Sequence, residues 1–250
     1  MSALGRLRSL VRDLGGEPAL VLCGASAVLV VSHYQGSTSG FSNLLGARFA
    51  QSPARDALPY FWWYGCSVVL YAAIPLTLSA MTRGRFTRKY GLGLGDARAG
   101  LAWAGVLLAV MLPAVFIASR TRFFQGAYPL AGSGAFTLKP VGAPEHRSYA
   151  LFAAYEAAYL AYFVAWEFLF RGWLLNGLLP RFGRGAILIQ TVPFAIMHLG
   201  KPEPEALGSI IAGVALGILA LRTRSMWYGA LVHGAVAFFM DAVATTGPFH

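Results

Sequence analysis

Charged side chains are scarce in this sequence, and acidic ones are the scarcest. Of its 250 residues only 12% are charged, and only 10 are Asp or Glu. An ordinary soluble domain has about 25% charged residues, whereas 57% of this chain is hydrophobic. The composition excludes a typical soluble domain and predicts an integral membrane protein.

Cysteine is also nearly absent. Cys23 and Cys66 lie in separate apolar segments, and their spacing matches neither a zinc site nor a disulfide framework. We expect both to act as small hydrophobic side chains.

The 20 Lys and Arg residues give a net charge of +10, but they form no basic stripe of the kind that binds nucleic acid. They lie mainly between apolar segments, as the positive-inside rule produces. The densest group is Arg83, Arg85, Arg88 and Lys89. We therefore predict no nucleic-acid partner, and a topology with the N-terminus in the cytoplasm and the C-terminus outside.

Apolar segments of membrane-spanning length recur along the chain. We predict an all-α polytopic transmembrane bundle in a single domain, residues 1–250, with a short interfacial helix at residues 3–14. A cleaved signal peptide would also explain the first apolar segment, but Asp13 and Glu17 before it favour a retained anchor. An eighth, re-entrant piece is the alternative to seven spans. The predicted spans are residues 18–32, 59–81, 101–118, 148–179, 186–199, 206–221 and 227–246.

Three connecting segments are predicted to be loops. The first, rich in Gly and Ser, leads from the first predicted span to the second. Residues 90–100 are rich in glycine but lack the strand and the lysine of a phosphate-binding loop, so they do not predict a nucleotide site. Residues 123–147 are polar and contain Gly, Pro and Ser, and we place them outside the bilayer.

The fourth predicted span carries charge into the bilayer. Glu156, Glu167 and Arg171 lie in it, and each unpaired charge at that depth costs about 3 kcal/mol or more. Glu167 and Arg171 are one helical turn apart, so they share a face and can pair. A structural ion pair and a catalytic carboxylate explain this spacing equally well. Glu156 lies about 16 Å from Glu167 along the axis, and we place it outside the chemistry.

Helical rise puts further polar residues at the depth of Glu167. Fourteen residues, about 21 Å, separate Glu167 from Arg181, and the same number separates His198 from Arg184. The side chains of Glu167 and His198 therefore lie at one level on neighbouring antiparallel helices. His233 lies near the same level on the last span.

A carboxylate and two imidazoles are sufficient to activate water. Glu167 would act as the general base, while His198 and His233 would orient the water, stabilise an oxyanion or ligate a metal. A single histidine in an apolar helix is more often a hydrogen-bond donor between helices. No pair of histidines has the spacing of a zinc motif on one helix.

Three short patterns follow in order between residues 149 and 241. Glu167 and Arg171 lie in Glu-Phe-Leu-Phe-Arg-Gly, Phe194 and His198 in Phe-Ala-Ile-Met-His, and His233 follows a valine. This series resembles the CAAX protease and bacteriocin-processing (CPBP) family of intramembrane proteases. The motifs of that family are Glu-Glu-x-x-x-Arg, Phe-x-x-x-His, and a later His-x-x-x-Asn or Asp.

The resemblance implies an intramembrane endopeptidase that hydrolyses peptide bonds of membrane-associated or lipid-modified substrates. Glu167, His198 and His233 would be catalytic, Arg171 would orient Glu167, and the site would lie within residues 148–241. A divalent metal such as zinc is left open, with His198 and His233 as its candidate ligands. The expected partners are a peptide or protein substrate and the lipid of a bacterial cytoplasmic membrane.

Two positions depart from the family pattern. Trp166 stands where the family has its first glutamate, and Ala237 stands where Asn or Asp follows the last histidine. Glu167 can act as the base in place of the missing first glutamate. Asp241, one turn beyond Ala237, can replace the missing Asn or Asp.

A branch of the family offers another carboxylate. Its members have a single glutamate before Phe and Gly-Lys-Pro after the histidine, as at residues 200–202 here, followed by a glutamate resembling Glu205. A solvated acid at a helix start explains Glu205 equally well.

The missing motif residues also favour a second hypothesis, a non-catalytic membrane binding or bacteriocin-immunity protein of the same fold. A transporter would require an inverted repeat or paired broken helices, and neither is visible.

Overall fold

The computed structural model describes residues 15–80 and 89–245, and these ranges are almost entirely helical. The interfacial helix predicted at residues 3–14 lies outside the described residues, as do Arg83, Arg85 and Arg88 of the basic cluster. The predictions made for these residues therefore stay predictions.

The helices vary widely in length, and two π-helical segments, Val69–Ala73 and Phe168–Leu174, continue α3 into α4 and α7 into α8 without a break. In chain order the helices are α1 Glu17–Tyr34, α2 Thr38–Phe49, α3 Leu58–Val68, α4 Ile74–Ala80, α5 Ala97–Ala118, α6 Arg122–Ala127, α7 Tyr149–Glu167, α8 Leu175–Phe182, α9 Ala186–Ile196, α10 Glu203–Thr223 and α11 Trp227–Thr245.

Within the described residues, five helices are long and apolar enough to cross a membrane. They are α1, the continuous helix Leu58–Ser79, α5, α10 and α11. Each coincides with a predicted span, and the all-α polytopic bundle is confirmed.

The other two predicted spans are less regular. The fourth runs through α7, the π segment and α8. The fifth contains α9, which has only 11 residues and so extends about 17 Å, roughly half of a 30 Å hydrocarbon core. His198 lies in the turn that follows it. The count of seven spans stays a prediction.

Two segments predicted as loops contain regular structure. The Gly- and Ser-rich stretch after α1 holds α2, whose first turn is capped by the Ser37 side chain accepting from the backbone N–H of Gly40. Residues 123–147 contain most of α6, a 3₁₀ turn, and the two-residue strands β1 Thr137–Leu138 and β2 His146–Arg147, which pair antiparallel.

The end of α7 and the π segment lie at the centre of the bundle, since every residue from 165 to 175 is buried. Aromatic side chains fill the space between α3 and α7. The ring of Tyr64 stacks on Tyr159 at 4.9 Å, and its hydroxyl donates to that of Tyr155 at 2.9 Å. This packing holds α7 in one position.

Small residues allow the remaining helices to approach closely, as is usual between membrane helices. A Cβ at Gly100 of α5 would lie 2.3 Å from the ring of Tyr228 on α11, and one at Gly213 of α10 would lie 2.7 Å from Thr191 on α9. These contacts bring α9, α10 and α11 around the π segment.

Contacts between segments define two ends of the bundle. At one end the Glu17 carboxylate pairs with Lys89, and the Trp227 indole donates to the backbone oxygen of Leu92. We call it the basic end, and its cationic residues are Lys89, Arg98, Arg181, Arg184, Arg222 and Arg224. The opposite, distal end holds residues 35–57, 119–148 and 197–202.

Candidate active site

The last residue of α7 is a fully buried carboxylate with two partners. Oε1 of Glu167 accepts hydrogen bonds from Nη1 of Arg171 at 2.9 Å and from Nδ1 of His233 at 3.0 Å. Glu167 and Arg171 are 0% and 1% exposed. A carboxylate paired with a guanidinium accepts, so Nδ1 of His233 carries the proton and its Nε2 is the acceptor nitrogen.

The π segment begins directly after Glu167 and explains part of this arrangement. A π turn is wider than an α turn and occurs frequently at functional sites. It places Arg171 against Glu167 while α8 continues toward the basic end. Asn176 supports the wide turn, because its Nδ2 donates to the backbone oxygens of Arg171 and Gly172, each at 2.8 Å.

His198 is held by the helix before it. Its Nδ1 lies 2.7 Å from the carbonyl oxygen of Phe194, and a carbonyl can only accept, so Nδ1 donates and Nε2 is again the acceptor. The rings of His198 and His233 are 6.3 Å apart and within 17° of parallel. The structure therefore brings both predicted histidines together, each with its Nε2 as the free acceptor.

Phe194 has a second role that its motif position did not reveal. The guanidinium carbon of Arg171 lies 4.0 Å from the centre of the Phe194 ring, which is a close cation–π contact. Phe194 thus links the support of His198 to the ion pair that holds Glu167.

A cavity of about 340 Å³ opens onto both histidines. Its wall includes polar residues of α1, of the turn after α9, and of α10 and α11, together with aromatic residues of α7. Glu167 is not among the residues that line it. Among those that do are Ser32, Tyr159, Trp166, His198, Lys201, Glu205 and His233.

Trp166 lies directly beside the histidines. Its ring centre is 5.9 Å from that of His198 and 6.4 Å from that of His233. Its Nε1 has no hydrogen-bond partner among the residues that the structure describes. An indole therefore occupies the wall of the cavity at the position where the resembled family has its first glutamate.

Asp241 lies apart from His233. It is fully buried, and its electrostatic neighbours include Tyr155, Glu156, Lys201 and the backbone of Leu130. Across residues 89–245 no hydrogen bond or ion pair joins Asp241 to His233. The partner of His233 is Glu167 instead. Ala237, which stands at the Asn or Asp position of the family motif, is a buried packing residue.

Glu205 lies on the cavity wall, in the first turn of α10. It accepts a hydrogen bond from the Tyr128 hydroxyl, and Nζ of Lys201 is 3.5 Å from that hydroxyl oxygen. Burial lowers the pKa of Lys201, although Glu205 and Asp241 counteract part of the shift. Burial and the neighbouring Glu205 raise the pKa of Tyr128. These groups form a polar cluster at the distal mouth of the cavity.

The metal that the sequence left open lacks a complete set of ligands among the described residues. In the described ranges no group of three His, Cys, Asp or Glu side chains is placed to hold a metal ion, whereas a catalytic zinc takes three protein ligands. His198 and His233 each keep Nε2 free while Phe194 and Glu167 hold Nδ1, so they supply two nitrogen ligands at most.

Gly229 is a site residue that sequence reasoning missed. A Cβ at this position of α11 would lie 2.6 Å from Oε2 of Glu167. Only glycine leaves room for the carboxylate here. The available signal was its spacing, because Gly229 lies one turn before His233 and on the same face.

A comparison with known protein families matches the part of the chain that carries this site. Residues 149–239 match the family model described as type II CAAX prenyl endopeptidase Rce1-like. The match runs from the start of α7 into α11 and includes Glu167, His198 and His233, and it confirms the resemblance to the CAAX protease family. Searches of curated proteins and of solved structures found no match to the chain.

Proposed function

We propose that this chain is an intramembrane endopeptidase that hydrolyses peptide bonds of membrane-associated or lipid-modified substrates. The observation that carries the proposal is the convergence of His198 and His233 on one cavity, with Glu167 hydrogen-bonded to Nδ1 of His233. The match to an endopeptidase family supports the reaction class.

His233, and not Glu167, is the base in this proposal. The Nε2 acceptors of His198 and His233 belong to cavity-lining rings, whereas Glu167 is fully buried and does not line the cavity. Glu167 instead fixes the tautomer of His233 and stabilises the imidazolium that forms, as the carboxylate does in a catalytic triad. It is therefore a positioning residue that acts through His233.

The hydrolysis proceeds in two proton transfers. Nε2 of His198 accepts one water hydrogen and orients the water, while Nε2 of His233 removes the other proton as the water oxygen attacks the peptide carbonyl carbon. The resulting imidazolium lies against Glu167. It then returns the proton to the amide nitrogen, the C–N bond breaks, and the neutral imidazole is restored.

Arg171 compensates the buried charge of Glu167. The two side chains are almost completely excluded from solvent and lie 2.9 Å apart. A buried carboxylate without such a partner would cost several kcal/mol. Arg171 therefore supports the site through Glu167 without reaching the cavity that holds the histidines.

The cavity wall fits an apolar peptide. Tyr159, Tyr162, Phe163 and Trp63 all line it, and apolar cavities with a few convergent polar groups are typical ligand sites. A substrate segment that lies in the bilayer, or that carries a lipid, could enter without exposing apolar surface to water.

The test is cleavage of quenched fluorescent peptides by purified protein in proteoliposomes. The set includes a prenylated cysteine peptide and the same peptide without its lipid. We expect wild type and Glu203→Gln, a control at an exposed acid outside the cavity, to cleave the same peptide. Glu167→Gln, His198→Ala and His233→Ala should fold and fail to cleave it. Normal cleavage by the His233 variant would exclude the mechanism.

The proposed location is a bacterial cytoplasmic membrane with the N-terminus in the cytoplasm. Because the basic end then faces the cytoplasm, the distal mouth of the cavity faces the outside. A membrane-impermeant maleimide should label Ser37→Cys but not Arg184→Cys in intact cells expressing variants without the native cysteines. The opposite pattern would invert the topology.

One observation favours a second candidate, a non-catalytic binding or bacteriocin-immunity protein. The Trp166 indole occupies the cavity wall beside both histidines, at the position that the resembled family gives to a carboxylate. In that case His198→Ala and His233→Ala would leave the biological function intact in a folded protein.

A further inference from the structure

A second cavity, of about 280 Å³, lies at the basic end between α8 and the end of α10. Arg171, Asn176, Arg224 and Ser225 supply its polar lining, and Leu179 and Leu221 are among its apolar residues. None of the residues that line it carries a carboxylate. Its lining therefore includes two arginines and no acidic residue, unlike the lining of the histidine cavity, which includes Glu205.

Arg171, one of the residues that line this cavity, has buried donors that nothing described satisfies. Its Nη1 donates to Glu167, but within residues 15–80 and 89–245 neither Nε nor Nη2 has a hydrogen-bond partner. A buried donor left unpaired costs about 1–3 kcal/mol, and more when it is charged. Arg171 is 1% exposed and is one of the residues that line the cavity, so an acceptor that reaches Nε or Nη2 from the cavity would remove that cost.

Arg224 stands in a conformation that normally belongs to glycine. It follows α10 with φ 57° and ψ 36°, and it is the only non-glycine residue in the described ranges with a positive φ. A helix C-terminus of this kind usually takes Gly or Asn, and such strain concentrates at functional sites. The exposed Arg224 side chain adds a second guanidinium to the lining of the cavity that Arg171 also lines.

We propose that this cavity binds a phosphate group, supplied by an anionic lipid headgroup or by free phosphate. Two guanidiniums match phosphate geometry, and basic pockets between membrane helices bind lipid headgroups. The volume is at the lower end of that of ligand sites, so it suits a headgroup and not a nucleotide. Trp227, at the start of α11, marks this level as the bilayer interface. The binding does not depend on the proposed peptidase activity.

The experiment measures thermal unfolding of the purified full chain in neutral detergent. One arm titrates phosphatidylglycerol against phosphatidylcholine, and the other titrates inorganic phosphate against sodium chloride at matched ionic strength. The variants are Arg224→Gln and Arg224→Gly, the second of which removes the guanidinium while easing the left-handed backbone. Arg222→Gln is the matched control, because Arg222 is exposed two residues away and does not line the cavity.

We expect saturable stabilisation of wild type and of Arg222→Gln, and an apparent affinity at least about tenfold weaker in both Arg224 variants, as loss of a charged hydrogen bond produces. Stabilisation by phosphatidylglycerol alone assigns the phosphate to a lipid, whereas stabilisation in both arms shows that free phosphate suffices. No stabilisation in either arm, or an equal loss in Arg222→Gln, would overturn the proposal.

Discussion

Replacement of Gly229 by alanine tests whether the position of Glu167 controls the site. The new Cβ would lie 2.6 Å from Oε2 of Glu167, whereas ordinary contacts begin at 3.4 Å. The carboxylate or α11 must therefore move by about 0.8 Å. That movement is enough to break the 3.0 Å hydrogen bond to His233.

The expected effect on catalysis is large. Misplacement of a catalytic group by about 1 Å costs on the order of 100-fold in rate, so Gly229→Ala should lower peptide cleavage in proteoliposomes by about that factor. Gly208→Ala is the matched control, because Gly208 is also helical and a Cβ there would meet nothing within 4 Å. It should cleave at the wild-type rate and unfold at the same or a slightly higher temperature.

The comparison also has a clear negative outcome. If Gly229→Ala is folded and cleaves as fast as Gly208→Ala, the placement of Glu167 against His233 is not needed for the reaction. The proposed role of Glu167 would then be wrong.

Two further predictions concern stability. Arg171→Met leaves Glu167 buried without its cation and should lower the free energy of unfolding by about 3–5 kcal/mol, while the double variant with Glu167→Gln should recover much of that loss in a thermal unfolding assay. Gly100→Ala should lower the unfolding temperature because its Cβ would lie 2.3 Å from the Tyr228 ring, whereas Gly105→Ala meets no atom within 4 Å and should not; equal unfolding temperatures would contradict the close packing of α5 on α11.

Much of the architecture follows from hydropathy, because a membrane-spanning helix must be both long and apolar. This rule located α1, α5, α10 and α11 within a few residues. It could not predict α2, whose Gly- and Ser-rich composition is typical of a loop and whose first turn depends on capping by Ser37. Nor could it predict the short reach of α9, because hydropathy does not mark where a helix stops inside the bundle.

The histidines were predictable because regular helical rise sets depth. His198 and His233 do meet, as counting residues from the basic end of each helix indicated. The role of Glu167 depends on which wall each side chain faces, and the π segment after it changes that direction without a sequence signal. Asp241 shows the same limitation, since it lies two turns beyond His233 on α11 and interacts electrostatically with Lys201, with no hydrogen bond or ion pair to either histidine among the described residues.

The most direct test of the central claim is a double-mutant cycle on Glu167 and His233, with cleavage rates of Glu167→Gln, His233→Ala and the double variant measured in proteoliposomes. If Glu167 acts only through His233, each single variant loses most of the activity and the double variant loses no more than His233→Ala, because residues that act as a unit are not additive. Losses that multiply in the double variant would show that the two residues act independently and would contradict the account.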